Sequence, residues 1–218
     1  MNMQITIREP GSAITHFIGM MMAVFAAVPL LVKAGITAGT RTMFAMGIFM
    51  ASMILLYGAS ATYHSVNLTG RALRIFRKLD HMMIFVLIAG SYTPVCLIVL
   101  GGSAGYTMLA VVWGIALAGM IIKACWITCP KWFSSIIYIA MGWVCVFVFG
   151  QLLHTLPTAG FLWLLAGGII YTAGGIIYAL KLPIFNAKHK AFGSHEVFHL
   201  FVMGGSICHF IFMYLYVA

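Results

Sequence analysis

Seven long apolar runs constrain this chain more than any other feature of its sequence. A membrane-spanning helix needs about 20 largely apolar residues, and the chain is 63% hydrophobic and only 7% charged. Polar or Gly/Pro breaks separate the runs, which cover Ala13–Leu31, Thr42–Tyr63, Asp80–Leu100, Tyr106–Ala124, Phe133–Leu153, Phe161–Leu180 and His195–Val217. The sequence therefore predicts an all-α integral membrane protein, a single seven-helix transmembrane domain over residues 1–218 with no room for a soluble domain.

The net charge of +9 would suggest nucleic-acid binding in a soluble chain, but its distribution indicates membrane topology instead. Ten Lys and Arg residues flank one side of the predicted bundle, and two flank the other. The ten are Arg8, Arg71, Arg74, Arg77, Lys78, Lys123, Lys131, Lys181, Lys188 and Lys190, and the two are Lys33 and Arg41. The positive-inside rule then predicts a cytoplasmic N-terminus and an external C-terminus. The basic loops could also bind anionic lipid headgroups, and no nucleic acid is expected as a partner.

The N-terminal segment carries no convincing signal peptide, since its first apolar run is longer than a usual signal core and lacks a clear small-residue cleavage site. The first span is therefore expected to stay attached. Most of the five cysteines lie in the apolar runs, where Cys behaves as a small hydrophobe. Cys125 and Cys129 have helical i,i+4 spacing and could hold a soft metal, although no nearby residue completes a four-ligand site of the usual kind.

The strongest chemical signal lies at the start of the last apolar run, where the sequence reads His195-Glu196-Val197-Phe198-His199. In a helix, residues four apart share a face, so the two imidazoles can point at one spot. With Glu196 as the base, the same residues match the zinc metalloprotease pattern H-E-x-x-H. Because that pattern has only three fixed positions, its surroundings must decide between a protease and another kind of metal site.

The predicted topology places further polar residues at the same depth. His64 ends the second run and Asp80 begins the third, so both lie at the cytoplasmic end with His195 and His199. Ionisable residues inside a membrane are costly and usually face the bundle interior or a cavity. Three neutral imidazoles that leave one position for water are the arrangement of a catalytic zinc site. Ser60 lies one turn deeper than His64 on the same helical face.

Other polar residues at this end allow a structural or a functional interpretation. Glu9 can stabilise the positive end of the first helix dipole, and His16 can be an internally hydrogen-bonded or snorkelling imidazole. Asp80 can cap its helix, and Ser60 can bond to its own helix backbone. His81 is expected in the surroundings of the site or on the surface.

Several segments together carry a family resemblance that covers nearly the whole chain. They are Ser12–His16, Ser60–His64, Leu79–His81, Ala89–Pro94, Ala140–Trp143 and His195–His209. The chain resembles the hemolysin III branch of the progestin and adipoQ receptor (adiponectin receptor-like) family, which is grouped with the alkaline ceramidases as membrane hydrolases. It departs from that family at Ser12, where bacterial members often have Asn.

The resemblance implies a site and an activity. It makes His64, His195 and His199 the ligands of a Zn²⁺ cofactor, and it makes Asp80 reach the metal through water. The implied activity is hydrolysis of a lipid amide or ester at the cytoplasmic leaflet of a bacterial inner membrane, and membrane lipids are the expected partners. Asp80 would act as general base, and Ser60 would donate a hydrogen bond to the developing oxyanion.

Other functions stay open. A receptor or regulator of membrane homeostasis would hold zinc in a closed structural site that ties helices together. Membrane lysis rests on the family name alone, since most ionisable residues lie on one side of the predicted bundle rather than along a path across the bilayer. A protease would need Glu196 as base and an acidic third ligand after it, but no acid follows Glu196. Glu196, Glu9, His16 and His81 are therefore expected around the site without a fixed role.

Overall fold

The computed structural model describes residues 7–180 and 192–218, and this part of the chain contains helices and no strand. Lys181, Lys188 and Lys190, counted in the charge distribution, lie outside the described residues. The helices are α1 (Pro10–Thr37), α2 (Thr40–Ser65), α3 (Gly70–Pro94), α4 (Gly102–Cys125), α5 (Lys131–Gly142), α6 (Phe149–Thr155), α7 (Thr158–Leu180) and α8 (Ser194–Tyr216).

Seven segments of the described chain are long and apolar enough to span a membrane. Helices α5 and α6 share one of these spans, and each remaining helix contributes to one. The predicted all-α, seven-span architecture is confirmed to this extent. Which end of the bundle faces the cytoplasm stays a prediction from the charge distribution.

The third span begins at Gly70 rather than near Asp80, the start predicted from the apolar run. Its additional turns carry Arg71, Arg74 and Arg77, which favour helix but are not apolar. An apolar run marks only the part of a helix that fits the hydrocarbon layer, so helix that continues beyond this layer leaves no such signal. Asp80 therefore lies inside α3 and does not cap it, because the N-cap is Thr69.

Two spans lose regular α-helical geometry midway. Pro94 ends α3, and a π-helical stretch, Val95–Leu100, completes the span. A break is expected here because proline has no N–H for the helical hydrogen-bond ladder. The fifth span is interrupted by a 3₁₀ turn, Val144–Val148. At this turn the amide of Cys145 donates to the hydroxyl of Tyr92 at 3.0 Å, which links the interruption to α3.

Glycines allow close approach where particular helices meet. Gly119 in α4 faces the buried ring of Phe85 in α3, and a Cβ at Gly119 would lie 2.2 Å from that ring. Gly167 in α7 faces His209 in α8, where a Cβ would lie 2.3 Å from the imidazole. Small residues at such positions let membrane helices pack backbone against side chain. The contacts hold α3 against α4 and α7 against α8.

One end of the bundle gathers the ends of several helices. The segment before α1 meets the end of α2, since the amide of Glu9 donates to the carbonyl of His64 at 3.0 Å. The start of α1 meets the start of α8, because the hydroxyl of Ser12 donates to the carboxylate of Glu196. Asp80 in α3 lines the same interior space. Ser60, His195 and His199 line this space as well, and His64 lies beside the two histidines of α8.

Candidate metal centre

Three histidines meet at this end of the bundle. His64 lies in the last turn of α2, and His195 and His199 lie in the first turns of α8. Each offers a ring nitrogen, and these ligand atoms all lie within 4.8 Å of one another. The Nε2 atoms of His64 and His195 are 3.3 Å apart. The structure thus brings together the three predicted ligands as a group that could hold a metal ion.

Glu9 orients the first of these histidines. Its carboxylate contacts Nδ1 of His64. A carboxylate only accepts, so Nδ1 carries the hydrogen and Nε2 keeps a lone pair for a ligand. The hydrogen bond to His64 is the main cause that lowers the pKa of Glu9 to about 2, so this carboxylate is ionised at neutral pH. A carboxylate behind a histidine in this way is typical of metal sites.

Thr15 and His16, both in α1, contact His199. Thr15 Oγ1 lies 3.1 Å from Nδ1 of His199. The hydroxyl hydrogen of Thr15 has backbone acceptors in Gly11 and Ser12, each at 3.0 Å. Its oxygen can therefore accept from Nδ1–H, which again leaves Nε2 as the ligand atom. His16 stacks on His199 with ring centroids 3.5 Å apart and planes within 8°.

Glu196 joins two helices. Its carboxylate accepts hydrogen bonds from the hydroxyl of Ser12 and from the amide of Gly193, the latter at 2.8 Å. The contact with Gly193 caps the first turn of α8, and the contact with Ser12 ties α8 to α1. This geometry gives Ser12 a defined role and gives no support to a protease that uses Glu196 as its base.

Asp80 and Ser60 lie beside the histidines. Asp80 is 8% exposed, its Oδ2 is 3.1 Å from Nδ1 of His81, and it interacts electrostatically with His64 and His195. Ser60 is 1% exposed. Its Oγ lies near the Asp80 carboxylate but makes no hydrogen bond of regular geometry within the described residues. The alternative in which Ser60 bonds to its own helix backbone is therefore wrong, and its hydroxyl lies on the side of the Asp80 carboxylate.

An apolar cavity of about 130 Å³ adjoins this site. Polar residues line one part of it, namely His16, Ser60, Asp80, His81, His195 and His199, and most of the remaining lining is apolar. A second cavity of about 60 Å³ shares Ser91, Tyr92, Gly142, Trp143, Gly168 and His209 with the first. Apolar cavities with a few convergent polar groups are typical of ligand sites. The arrangement suits a ligand with one polar end and a long apolar part.

The structure brings the three predicted histidines together and places the predicted Asp80 and Ser60 beside them, but the sequence did not mark Thr15. Thr15 stands next to His16 in a segment that the family resemblance covers, yet nothing in its local pattern marks a contact with α8. The structure also gives Glu9, His16 and His81 defined contacts that spacing alone left undefined. Helix spacing predicts which residues share a face, whereas these contacts depend on the distance between helices.

Lys123 belongs to a separate buried cluster. Counted above among the cations that flank the bundle, it is 2% exposed in the last turn of α4, with Nζ 3.1 Å from Sγ of Cys129 and 2.5 Å from Oγ of Ser134. At least one of the ten cations counted on that side of the bundle, Lys123, is therefore not exposed. Cys129 is buried in this cluster while Cys125 is exposed. This arrangement gives no support to a metal site formed by the two cysteines.

Comparison with known proteins identifies the family. A family model described as Haemolysin-III related matches residues 4–210. The chain is 36% identical over 214 residues to Hemolysin-3 of Bacillus cereus, a match that covers 98% of this chain and 94% of that protein. It is also 36% identical over 212 residues to the Hemolysin-3 homolog of Bacillus subtilis (strain 168), covering 97% of this chain and 95% of that protein.

The family model and these relatives confirm the hemolysin III part of the resemblance drawn from the sequence. With seven apolar spans, the chain is a multi-pass bacterial membrane protein. It belongs to the haemolysin-III related family.

Proposed function

We propose that this protein is a zinc-dependent hydrolase of a lipid amide or ester, with its site in the cytoplasmic leaflet. The observation that carries the proposal is the convergence of three imidazoles beside an apolar cavity that Asp80 and Ser60 also line. A metal centre, a carboxylate and a hydroxyl donor around one apolar space are the components that hydrolysis of a lipid carbonyl compound requires.

The donor set suits Zn²⁺. Two nitrogen ligands roughly 2.0–2.1 Å from zinc at a tetrahedral angle lie about 3.3–3.4 Å apart, and the Nε2 atoms of His64 and His195 are 3.3 Å apart. The contacts at Nδ1 of His64 and His199 leave Nε2 of each ring as the ligand atom. Three protein ligands leave a fourth position open, as in catalytic zinc sites.

The neighbouring side chains have separate tasks in this proposal. When bound, Zn²⁺ would polarise a carbonyl oxygen and lower the pKa of a water molecule. Asp80 accepts the proton of the attacking water as general base, and Nδ1 of His81 lies 3.1 Å from its Oδ2. Ser60 donates a hydrogen bond to the substrate carbonyl oxygen, where a fixed donor in a dry site is most effective. The apolar lining takes the acyl chain and excludes bulk water.

The cavity favours hydrolysis over a receptor or regulator with structural zinc, because a closed structural site needs no adjoining space. Membrane lysis has less support. The name Hemolysin-3 belongs to the relatives, and the ionisable residues of the candidate site gather at one end of the bundle rather than along a path across it. Lysis therefore ranks below both zinc-dependent functions.

Metal analysis of the purified protein tests the ligands. Wild type is expected to hold about one zinc ion per chain, and His195→Ala and His199→Ala are expected to lose it. His154→Ala is a matched control, since His154 is an exposed histidine in the last turn of α6. Thermal unfolding would verify that each variant is folded. Unchanged zinc content in the two ligand variants would refute the site.

Asp80→Asn separates hydrolysis from a structural role for zinc. With a fluorescent long-chain lipid amide in micelles, this variant is expected to keep its zinc but lose about 10²–10⁴-fold in turnover, the usual contribution of a general base. Turnover at the wild-type rate would show that Asp80 is not the base. A wild-type protein that binds zinc but hydrolyses no lipid amide or ester would favour the receptor or regulator.

A further inference from the structure

His209 is a buried histidine that the candidate metal centre does not use. It lies in α8, ten residues after His199, which places it about 15 Å further along the helix axis at 1.5 Å per residue. Its side chain is 9% exposed and lines both cavities. The imidazole is therefore too distant to bind the metal but is in contact with the space that a ligand's tail would occupy.

The contacts of the ring fix which nitrogen carries the hydrogen. Nε2 of His209 lies 3.2 Å from the carbonyl oxygen of Leu164 in α7. A carbonyl oxygen only accepts, so Nε2 donates, and Nδ1 of the neutral ring carries the lone pair. The ring also packs closely over Gly167, where a Cβ would lie 2.3 Å from Cδ2. His209 is thus held with Nδ1 as an acceptor.

No described residue donates to this acceptor, although the atom is buried. The hydroxyl of the adjacent Tyr171 is bonded to Ser206 at 2.8 Å. The hydroxyls of Ser91 and Thr172, which line the same cavity, donate to carbonyls of their own helices at 2.8 and 2.7 Å. Because buried polar atoms in proteins are nearly always paired, the missing donor must come from outside this set of side chains.

We propose that Nδ1 of His209 accepts a hydrogen bond from an O–H group on the tail of a long-chain amphiphile that occupies both cavities. The polar head of this ligand lies at the three histidines, and in this respect the proposal rests on the proposed function. A plain hydrocarbon tail would leave Nδ1 unpaired in an apolar space. A hydroxylated tail pairs it, and a hydrogen bond in such surroundings is stronger than one in water.

The position of His209 sets the position of the hydroxyl. An extended hydrocarbon chain advances roughly 1.3 Å per carbon, given a C–C bond near 1.5 Å and a tetrahedral angle. A separation of about 15 Å between His199 and His209 along the helix then corresponds to about twelve carbons. The structure therefore selects an acyl chain with a hydroxyl group near its twelfth carbon.

Binding of three fatty acids to the full-length protein in detergent tests this assignment. The probes are 12-hydroxyoctadecanoate, 6-hydroxyoctadecanoate and octadecanoate, with affinities measured by isothermal titration calorimetry. One hydrogen bond in a dry site contributes roughly threefold to tenfold in affinity, so the 12-hydroxy acid is expected to bind tighter than octadecanoate by about that factor. The 6-hydroxy acid is expected to bind no tighter than octadecanoate. Equal affinities for all three would overturn the proposal.

Variants of His209 connect the preference to this side chain. His209→Leu is expected to abolish the preference for the 12-hydroxy acid, whereas Ile88→Val, which trims an apolar residue of the same cavity, is expected to keep it. Thermal unfolding would verify folding. If the leucine variant does not fold, His209→Gln serves instead and is expected to show a smaller preference. An unchanged preference in the folded variant would overturn the proposal.

The ratio of affinities also separates this proposal from the metal site. In His195→Ala or in protein treated with a chelator, all three acids are expected to bind more weakly, but with the same ratio between them. A ratio that disappears with the metal would overturn the assignment to His209. Failure to find zinc or turnover would count against the proposed function alone, because the preference for the 12-hydroxy acid requires only that the polar head lies at the three histidines.

Discussion

Alanine at Gly119 would place a methyl group where the ring of Phe85 lies. The added Cβ would be 2.2, 2.3 and 2.7 Å from three carbons of that ring. Phe85 is 1% exposed and packs against the ring of Tyr138 with centroids 4.7 Å apart. The ring is therefore packed between Gly119 and Tyr138, and either the ring or α4 must shift to admit the methyl group.

The expected cost follows from two opposing effects. Overpacking of a well-packed core costs roughly 1–3 kcal/mol, while Gly→Ala within a helix gains up to about 1 kcal/mol. Gly114 in the same helix is a matched control, because a Cβ there would meet nothing within 4 Å. Gly114→Ala should be neutral or stabilising, so the two variants should differ by about 1–3 kcal/mol in the free energy of unfolding.

Unfolding in mixed micelles at increasing SDS, followed by circular dichroism, would measure this difference. Gly119→Ala is expected to unfold at lower SDS than wild type, and Gly114→Ala at the same or higher SDS. If the free energies of the two variants agree within about 0.5 kcal/mol, the reasoning from Cβ clearance is refuted, since both carry the same chemical change in the same helix.

Three further changes test other contacts. Glu9→Gln is expected to weaken zinc affinity about 10–100-fold, because it removes the charge that orients a ligand imidazole; competition with a chelating dye would measure this, and an unchanged affinity would exclude the orienting role. The hydroxyls of Tyr57 and Tyr171 lie 2.6 and 2.8 Å from Oγ of Ser206. Ser206→Ala removes this hydrogen-bond partner from both, and it is expected to lower the free energy of unfolding by about 1–3 kcal/mol. Lys123→Met replaces a buried ammonium with an apolar chain and is expected to be neutral or stabilising, so a lower unfolding temperature would contradict it.

The spans could be predicted from the sequence because hydrocarbon thickness fixes the length of an apolar run. The same signal misplaced the start of the third span, since the turns that carry Arg71 and Arg74 are helical without being apolar. The charge count in turn treated Lys123 as a flanking cation, although the side chain is buried among polar partners. Gly114 and Gly119 look alike in the sequence, and only the position of Phe85 distinguishes them.

For the candidate site, the sequence predicted which residues share a helix face or an end of the bundle, but not the contacts between neighbouring helices. The i,i+4 spacing of His195 and His199 predicts a shared face, and the order of spans brought His64 and Asp80 to the same end. The contact of Thr15 with His199 could not be predicted, because it depends on how closely α1 approaches α8. Periodicity describes one helix at a time, whereas the groups that orient a ligand come from its neighbours.

The segment from Glu9 to His16 contacts two of the three histidines, one in α2 and one in α8. A small tilt of α1 would therefore disturb both rings together, even with every ligand residue intact. Gly19 lies about one turn beyond His16, and a Cβ there would press on the ring of Tyr57 at 3.2 Å. A larger side chain at Gly19 would therefore shift α1. Zinc affinity would then change because a helix has moved, although every ligand residue is still present.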